Sequence, residues 1–155
     1  MNIKNIMCPV DFSEHSELAL NYARFIAEAT GATIHLVHAT IPPVEYIQGY
    51  LEVKKEIEEQ RNHALQELNS IDIPGVPVER HLLGGVPMDE VVKYADSNNI
   101  DLIVIPTHGR SGVMRLLMGS VAEEIVRKAP CPVMAVKPRV AETDKKTVKQ
   151  TKVEH

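Results

Sequence analysis

Asp101-Leu102-Ile103-Val104-Ile105-Pro106-Thr107-His108-Gly109-Arg110-Ser111-Gly112, running on through residues 113–118 into Gly119-Ser120-Val121-Ala122-Glu123, decides the reading of this chain. The apolar run ending at Ile105 predicts a strand, and the pattern from Ser120 to Lys128 predicts a helix. A strand that opens into a glycine-rich loop and then a helix amino-terminus is suited to holding phosphate. Backbone N–H groups point outward there, and the helix dipole favours negative charge. Gly109, Gly112 and Gly119 let backbone approach a ligand that a Cβ would push away, and Ser120 adds a hydroxyl.

Working outward, Asn5 to Val10 reads as a short buried strand, followed by Asp11-Phe12-Ser13 and a helix from Glu14 to Thr30. Ser13 is the expected N-cap and Gly31 the expected stop. Leu18, Tyr22, Phe25 and Ala29, with Ala19, Ala23 and Ile26, form the predicted apolar face of this helix. Ala32 to Ala39 is a second strand. Pro42-Pro43 breaks the chain before a long polar helix from Glu45 to Ser70, with Ile47, Leu51, Ile57, Ala64, Leu65, Leu68 and Ile71 as its seam. A third strand covers Val76 to Leu83, a helix Pro87 to Ser97, a fourth strand Asp101 to Ile105 and a fifth Val133 to Lys137. Residues 1–138 are expected to form the folded domain, and the polar, lysine-rich residues 139–155 a disordered tail.

Strands alternating with helices predict an α/β fold, a parallel sheet covered on both faces. In such sheets ligands sit beyond the carboxyl ends of the strands where strand order reverses. If the first and fourth strands are neighbours, Asp11 and the stretch from Pro106 to Gly109 meet at one crevice.

The composition bounds the function. A chain of 155 residues with 44% hydrophobic and 25% charged residues is of ordinary globular character. A net charge of −4 argues against nucleic acid as a partner. No run reaches the length of a membrane span and no signal-peptide pattern stands at the amino terminus, so a cytoplasmic location is expected. Cys8 and Cys131 each precede a proline outside any ligand cluster and are expected to be free thiols.

Three segments together give the chain a family resemblance. They are Cys8-Pro9-Val10-Asp11-Phe12-Ser13, the stretch from Asp101 to Gly112, and Gly119-Ser120-Val121-Ala122-Glu123 leading to Ala129-Pro130-Cys131-Pro132-Val133. Over residues 2–138 the sequence resembles the universal stress protein family. The family's ATP-binding members show Gly-x2-Gly-x9-Gly-Ser/Thr. Here Gly109, Gly119 and Ser120 match, and Pro106 replaces the first glycine.

The resemblance implies a Rossmann-like five-stranded sheet ordered 3-2-1-4-5. It also implies ATP, with or without Mg2+, as the ligand. The nucleotide-binding set it implies is Pro9, Val10, Asp11, Ala39, Ile105, Pro106, His108, Gly109, Arg110, Gly112, Gly119, Ser120 and Val121. Within it, Asp11 stands at the adenosine end, Ala39 offers backbone to adenine, and His108 lines the phosphate loop. A homodimer through Val133, Met134, Ala135 and Val136 of the last strand is implied as well.

Plainer readings stand beside these. Ser120 with Glu123 matches a capping box that needs no ligand, and Asp11 matches turn chemistry before a helix. His35 and His38, three apart on one strand, face opposite sides, so no metal site is expected from them. The charged stretch from Lys54 to Arg61 reads as solvated surface.

The leading functional expectation is a dimeric stress-response regulator that binds adenine nucleotide and hydrolyses it slowly or not at all. The alternative is a dimer of the same fold that works through protein contacts without nucleotide. A true enzyme lacks support, because there is no Walker A motif and no acid–base pair at plausible spacing. A phosphoaspartate receiver is excluded: Arg80-His81-Leu82-Leu83 stands where its acceptor aspartate would be.

Overall fold

Alternation of side chains along each strand sends successive apolar residues to opposite faces of the sheet, and each face acquires its own layer of helices. The computed structural model describes residues 2–41, 50–108 and 118–138, with the backbone alone for 50–53. In chain order it contains β1 (Asn5–Pro9), α1 (Glu14–Thr30), β2 (Thr33–Thr40), α2 (Tyr50–Ser70), β3 (Val78–Gly84), α3 (Pro87–Ser97), β4 (Leu102–Pro106), α4 (Ser120–Lys128) and β5 (Val133–Val136). The strands are parallel and ordered β3-β2-β1-β4-β5, the expected doubly covered α/β sheet.

On one face Ile6, Cys8, Leu36 and Val104 pack against Ala19, Ala23 and Ala27 of α1, with Leu68 of α2 in the same cluster. On the other, Met7, Val37, Ile103 and Ile105 pack against Val91 and Ala95 of α3 and Ala122 and Ile125 of α4. Cys8 is fully buried, and desolvation pushes its thiol pKa up to about 12.

Helix α1 begins and ends as expected. Ser13 Oγ accepts the N–H of Ser16 at 3.3 Å, and Gly31, at φ 73°, donates its N–H to Ala27 O at 2.8 Å. The predicted apolar face of α1 needs correction. Tyr22, Phe25 and Ala29 are exposed, and the buried residues are Ser16, Ala19, Leu20, Ala23 and Ala27. Small side chains let the helix axis sit close to the sheet, and this stripe turns the bulkier aromatics outward.

Strand β3 starts at Val78, two residues later than expected, because Pro77 has no N–H to give; its carbonyl accepts from Ile34 at 2.9 Å. Strand β4 extends to Pro106, and β5 stops at Val136, short of Lys137. The seam of α2 holds where it is described, with Ala64 and Leu68 buried and Ile57, Leu65 and Ile71 half-buried. The break at Pro42-Pro43, the helix start at Glu45, Ile47, the Leu51 side chain and the tail after Pro138 lie outside the described residues.

One polar network crosses the α3 face. Asn5 Nδ2 donates to Asn99 O at 3.2 Å, which turns Asn5 Oδ1 toward His35 Nε2 at 3.3 Å. His35 Nδ1 lies 3.0 Å from the Tyr94 hydroxyl. With Nε2–H donating to Asn5, Nδ1 is the acceptor and Tyr94 the donor. Burial lowers the pKa of His35, with Glu79 pulling it up and His81 pushing it down. Burial, then Glu79, pushes the Tyr94 phenol up to about 12, so it keeps its proton.

The orientation of α1 makes a prediction that sequence alone would reverse. Ala23 is 0% exposed, so Ala23→Leu should overpack the helix–sheet contact and cost about 1–3 kcal/mol. Phe25 is 70% exposed, so Phe25→Ala should stay within about 0.5 kcal/mol of the parent. Urea unfolding of both variants checks this; a larger loss for Phe25→Ala would mean that α1 is rotated.

Candidate functional site

Strands β1 and β4 are neighbours, and the sheet order reverses between them. Their registered pairs are Ile6 with Leu102 and Met7 with Ile103, although β1 continues to Pro9 and β4 to Pro106. The reason is legible in the backbone. Val10 N–H points to Val37 O on β2 and Thr107 N–H to Val136 O on β5, so by alternation the nitrogens of Pro9 and Pro106 face each other's strand. Neither has a hydrogen to donate. The ladder therefore stops, and a cleft of about 410 Å³ opens where it ends.

The turn after β1 forms one wall. Asp11 Oδ1 accepts from Ser13 N at 3.0 Å and from the hydroxyls of Ser13 and Ser16. Ser16 Oγ in turn accepts the N–H of Asp11 at 2.9 Å and is almost fully buried. The turn also holds Phe12 at φ 63°, a conformation that costs a bulky residue energy. Its ring lies 4.4 Å from the ring of His38, whose Nδ1–H donates to Val10 O at 2.7 Å. Asp11 thus does turn chemistry and lines the cleft at once.

The floor is apolar, with Val10, Val37, Val91, Ile105 and Ile125 around Ala39. Val37 O is taken by Val10 N–H at 2.8 Å. Two residues on, Ala39 turns its N–H and C=O to the same side, where β1 has already ended. A flat ring held between apolar walls, with a backbone donor and acceptor at its edge, suits this slot.

The opposite wall is the start of α4. Its N-cap is Gly119, at φ −73° and ψ 157°, without a side-chain cap. Ser120 is therefore the first helical residue, and the Ser120–Glu123 capping box of the plainer reading does not form; Glu123 Oε1 accepts from Arg127 at 2.8 Å. The N–H of Gly119 donates to Thr107 O at 2.7 Å and fastens the helix to the end of β4. Among the described residues the N–H groups of Ser120, Val121 and Ala122 have no partner, and the exposed Ser120 hydroxyl has none either. These donors and the positive end of the α4 dipole meet at the cleft.

Of the residues singled out from sequence, Pro9, Val10, Asp11, Ala39, Ile105, Pro106, Gly119, Ser120 and Val121 line this one cleft. His108 does not line it; its Nδ1 lies 2.9 Å from Thr107 Oγ1, and its ring 6.5 Å from that of His15. Gly109, Arg110 and Gly112 lie outside the described residues. Sequence reasoning missed Ser16, His38, Thr107, Pro87 and Val91, which also line the cleft. Ser16 had a signal in its hydroxyl one turn after the N-cap, but Val91 looks like any core valine.

A parallel sheet with an open switch-point crevice and a helix amino-terminus beside it defines a Rossmann-like α/β protein. Comparison with known proteins narrows the class. The sequence pattern of the universal stress protein family matches residues 2–137, and the chain belongs to that family. It is 34% identical over 139 residues to universal stress protein MJ0531 of Methanocaldococcus jannaschii, covering 86% of this chain and 82% of that protein. Among solved structures it is similar to MJ0577 of the same organism, with a TM-score of 0.73, 26% identity, and 91% and 100% of the two chains covered. A universal stress protein from Archaeoglobus fulgidus in complex with dAMP superposes with a TM-score of 0.58 at 26% identity, covering 88% of this chain and 100% of that one.

The Asp11 turn yields a stability prediction. Ser16→Ala removes a buried hydroxyl that both donates to Asp11 and accepts from its N–H. Leaving a carboxylate short of a partner should cost about 1.5–3 kcal/mol. Chemical denaturation measures this, and a neutral substitution would show that Asp11 does not depend on Ser16.

Proposed function

We propose that this chain binds an adenine nucleotide, with ATP the expected ligand, and acts as a homodimeric stress-response regulator. The observation that carries the reading is the cleft at the parted ends of β1 and β4, with an apolar slot on one side and, on the other, three N–H groups of α4 that have no partner among the described residues. Adenine lies in the slot with its polar edge toward the backbone of Ala39. Asp11 accepts from the ribose, and the phosphates meet Gly119, Ser120 and the amino-terminus of α4. The dAMP complex of the Archaeoglobus fulgidus relative supports the choice of adenine. Gly109, Arg110 and Gly112 complete the phosphate contacts in this reading.

The dimer rests on β5, which is short, apolar and at the sheet edge, paired with β4 on one side only among the described residues. An uncovered apolar edge is a template for another strand. Pairing β5 with its twofold copy continues the sheet across the interface.

Gly119→Val tests the nucleotide site. Gly119 has an ordinary negative φ, and a Cβ there would meet Thr107 O at a comfortable 3.5 Å, so the fold should tolerate the change. The added methyl groups would occupy the cleft that Gly119 lines. Calorimetry in Mg2+ buffer should show ATP binding weakened at least about tenfold, a loss of 1.4 kcal/mol or more, with an unchanged circular dichroism spectrum. Equal binding by parent and variant would place the phosphates elsewhere.

Ala135→Lys tests the interface. Ala135 is exposed on the edge strand, and like charges brought together across a twofold axis should separate the subunits. Light scattering should then give a dimer for the parent and a monomer for the variant; an unchanged mass would move the interface off β5.

A further inference from the structure

Away from the cleft, a second cluster forms across the pairing of β2 with the edge strand β3. The register sets His35 beside Glu79 and Val37 beside His81. Residues two apart on a strand share a face, so Glu79 and His81 project on the side where His35 lies. The His35 and His81 rings are 6.1 Å apart and stacked within 14°. None of the three lines the cleft, and β3 lies two strands from β1.

We propose that His35, Glu79 and His81 form a zinc site. His81 Nε2 is 3.3 Å from Glu79 Oε2, His35 Nδ1 is 3.8 Å from the same oxygen, and one ligand atom from each residue lies within 4.8 Å of the others. Tetrahedral zinc, with bonds of about 2.0–2.1 Å, spaces its ligands about 3.3–3.4 Å apart. Two edges of the triangle are therefore at or near the required length, and side-chain rotation of the exposed Glu79 and half-buried His81 closes the rest.

The surroundings are those of a ligating histidine. Asn5 Oδ1 accepts from His35 Nε2–H, and the Asn5 amide is itself fixed by its bond to Asn99 O. Its backbone is held as well, with the N–H donating to Asp101 Oδ2 at 2.9 Å. This chain sets the ring orientation and leaves Nδ1, 3.8 Å from Glu79 Oε2, unprotonated, the arrangement in which a partner on one nitrogen prepares the other for a metal. Tyr94 O–H caps that lone pair in the metal-free protein and moves aside on binding. Two imidazoles and one carboxylate favour zinc over magnesium or calcium, which prefer all-oxygen sets. A water would fill the fourth position on the open side. Bound there, zinc ties the edge strand β3 to β2.

The full chain, stripped with EDTA and dialysed, is titrated with zinc chloride in a calorimeter, with excess magnesium present. One zinc per chain is expected at this site, with the ring resonances of His35 and His81 shifting in nitrogen-correlated NMR spectra. Glu79→Gln and His81→Ala change partly exposed residues and should leave the fold intact while weakening this binding on the order of a hundredfold. Asn5→Ala, which touches no metal, should weaken it about tenfold. Zinc should raise the melting temperature of the parent and leave that of Glu79→Gln unmoved. No uptake, uptake that both ligand variants retain, or unshifted His35 and His81 resonances would overturn the proposal. Nucleotide binding plays no part in any of these readouts.

Discussion

β1 and β4 zip together only at their amino-terminal halves, and everything distinctive about this molecule follows from where that zip stops. A parallel ladder needs a donor from each strand in turn, and the positions at which the two strands would next exchange donors are occupied by Pro9 and Pro106. The apolar residues around them, Val10 and Ile105, are still buried from the helix side. The strands are held in place by packing while their ends are left unpaired. A cleft at a switch point is a topological expectation for any sheet of this order. Here two prolines give it a local cause.

This changes the meaning of Pro106. Judged as a motif position, it is a glycine replaced by a residue with no N–H and a stiff ring. Judged in the sheet, its nitrogen faces β1, so any N–H there would point into the gap between the strands. The same ring that withholds a donor from a ligand also withholds it from the ladder. The donors that meet the cleft come instead from the next element along, where Gly119 caps α4 with its backbone alone and the following N–H groups have no partner among the described residues. A side-chain cap at this helix would have satisfied one of those groups internally and removed it from the cleft.

Element order was legible in the sequence because it rests on local patterns: apolar runs bounded by turn residues, and Ser13 and Gly31 at the ends of α1. Sheet order and most of the cleft-lining residues came instead with the family resemblance, since no local pattern says which strands are neighbours. The α1 face was misread for a physical reason. Hydrophobic size predicts burial poorly where a helix lies close against a sheet, and there alanines and Ser16 are inside while Phe25 is out. The Ser120–Glu123 spacing makes a capping box only if Ser120 is the N-cap; the cap is Gly119, one residue earlier, and the spacing alone does not fix that start. His35, Glu79 and His81 were invisible for a different reason. Their meeting depends on the register between two strands separated by the whole of α2, and spacing along one strand can show only that His35 and His38 diverge.

That register links the two regions argued for function. Val37 stands between them on β2: its carbonyl anchors Val10 at the lip of the cleft, and its registered partner on β3 is His81. A one-residue slip of β3 would send Glu79 and His81 to the opposite face, into the layer where α1 and α2 pack. Those positions on β3 are half-buried, so a carboxylate moved there would lose part of its hydration, which disfavours the slip. The charged residues of β3 thus add to the register preference that its apolar residues set. Glu79 and His81 also place charge and bulk along an edge that would otherwise invite a foreign strand. β5, at the other edge, carries no such group between Val133 and Val136. The two edge strands differ in this respect: β3 carries charged groups and β5 is apolar throughout.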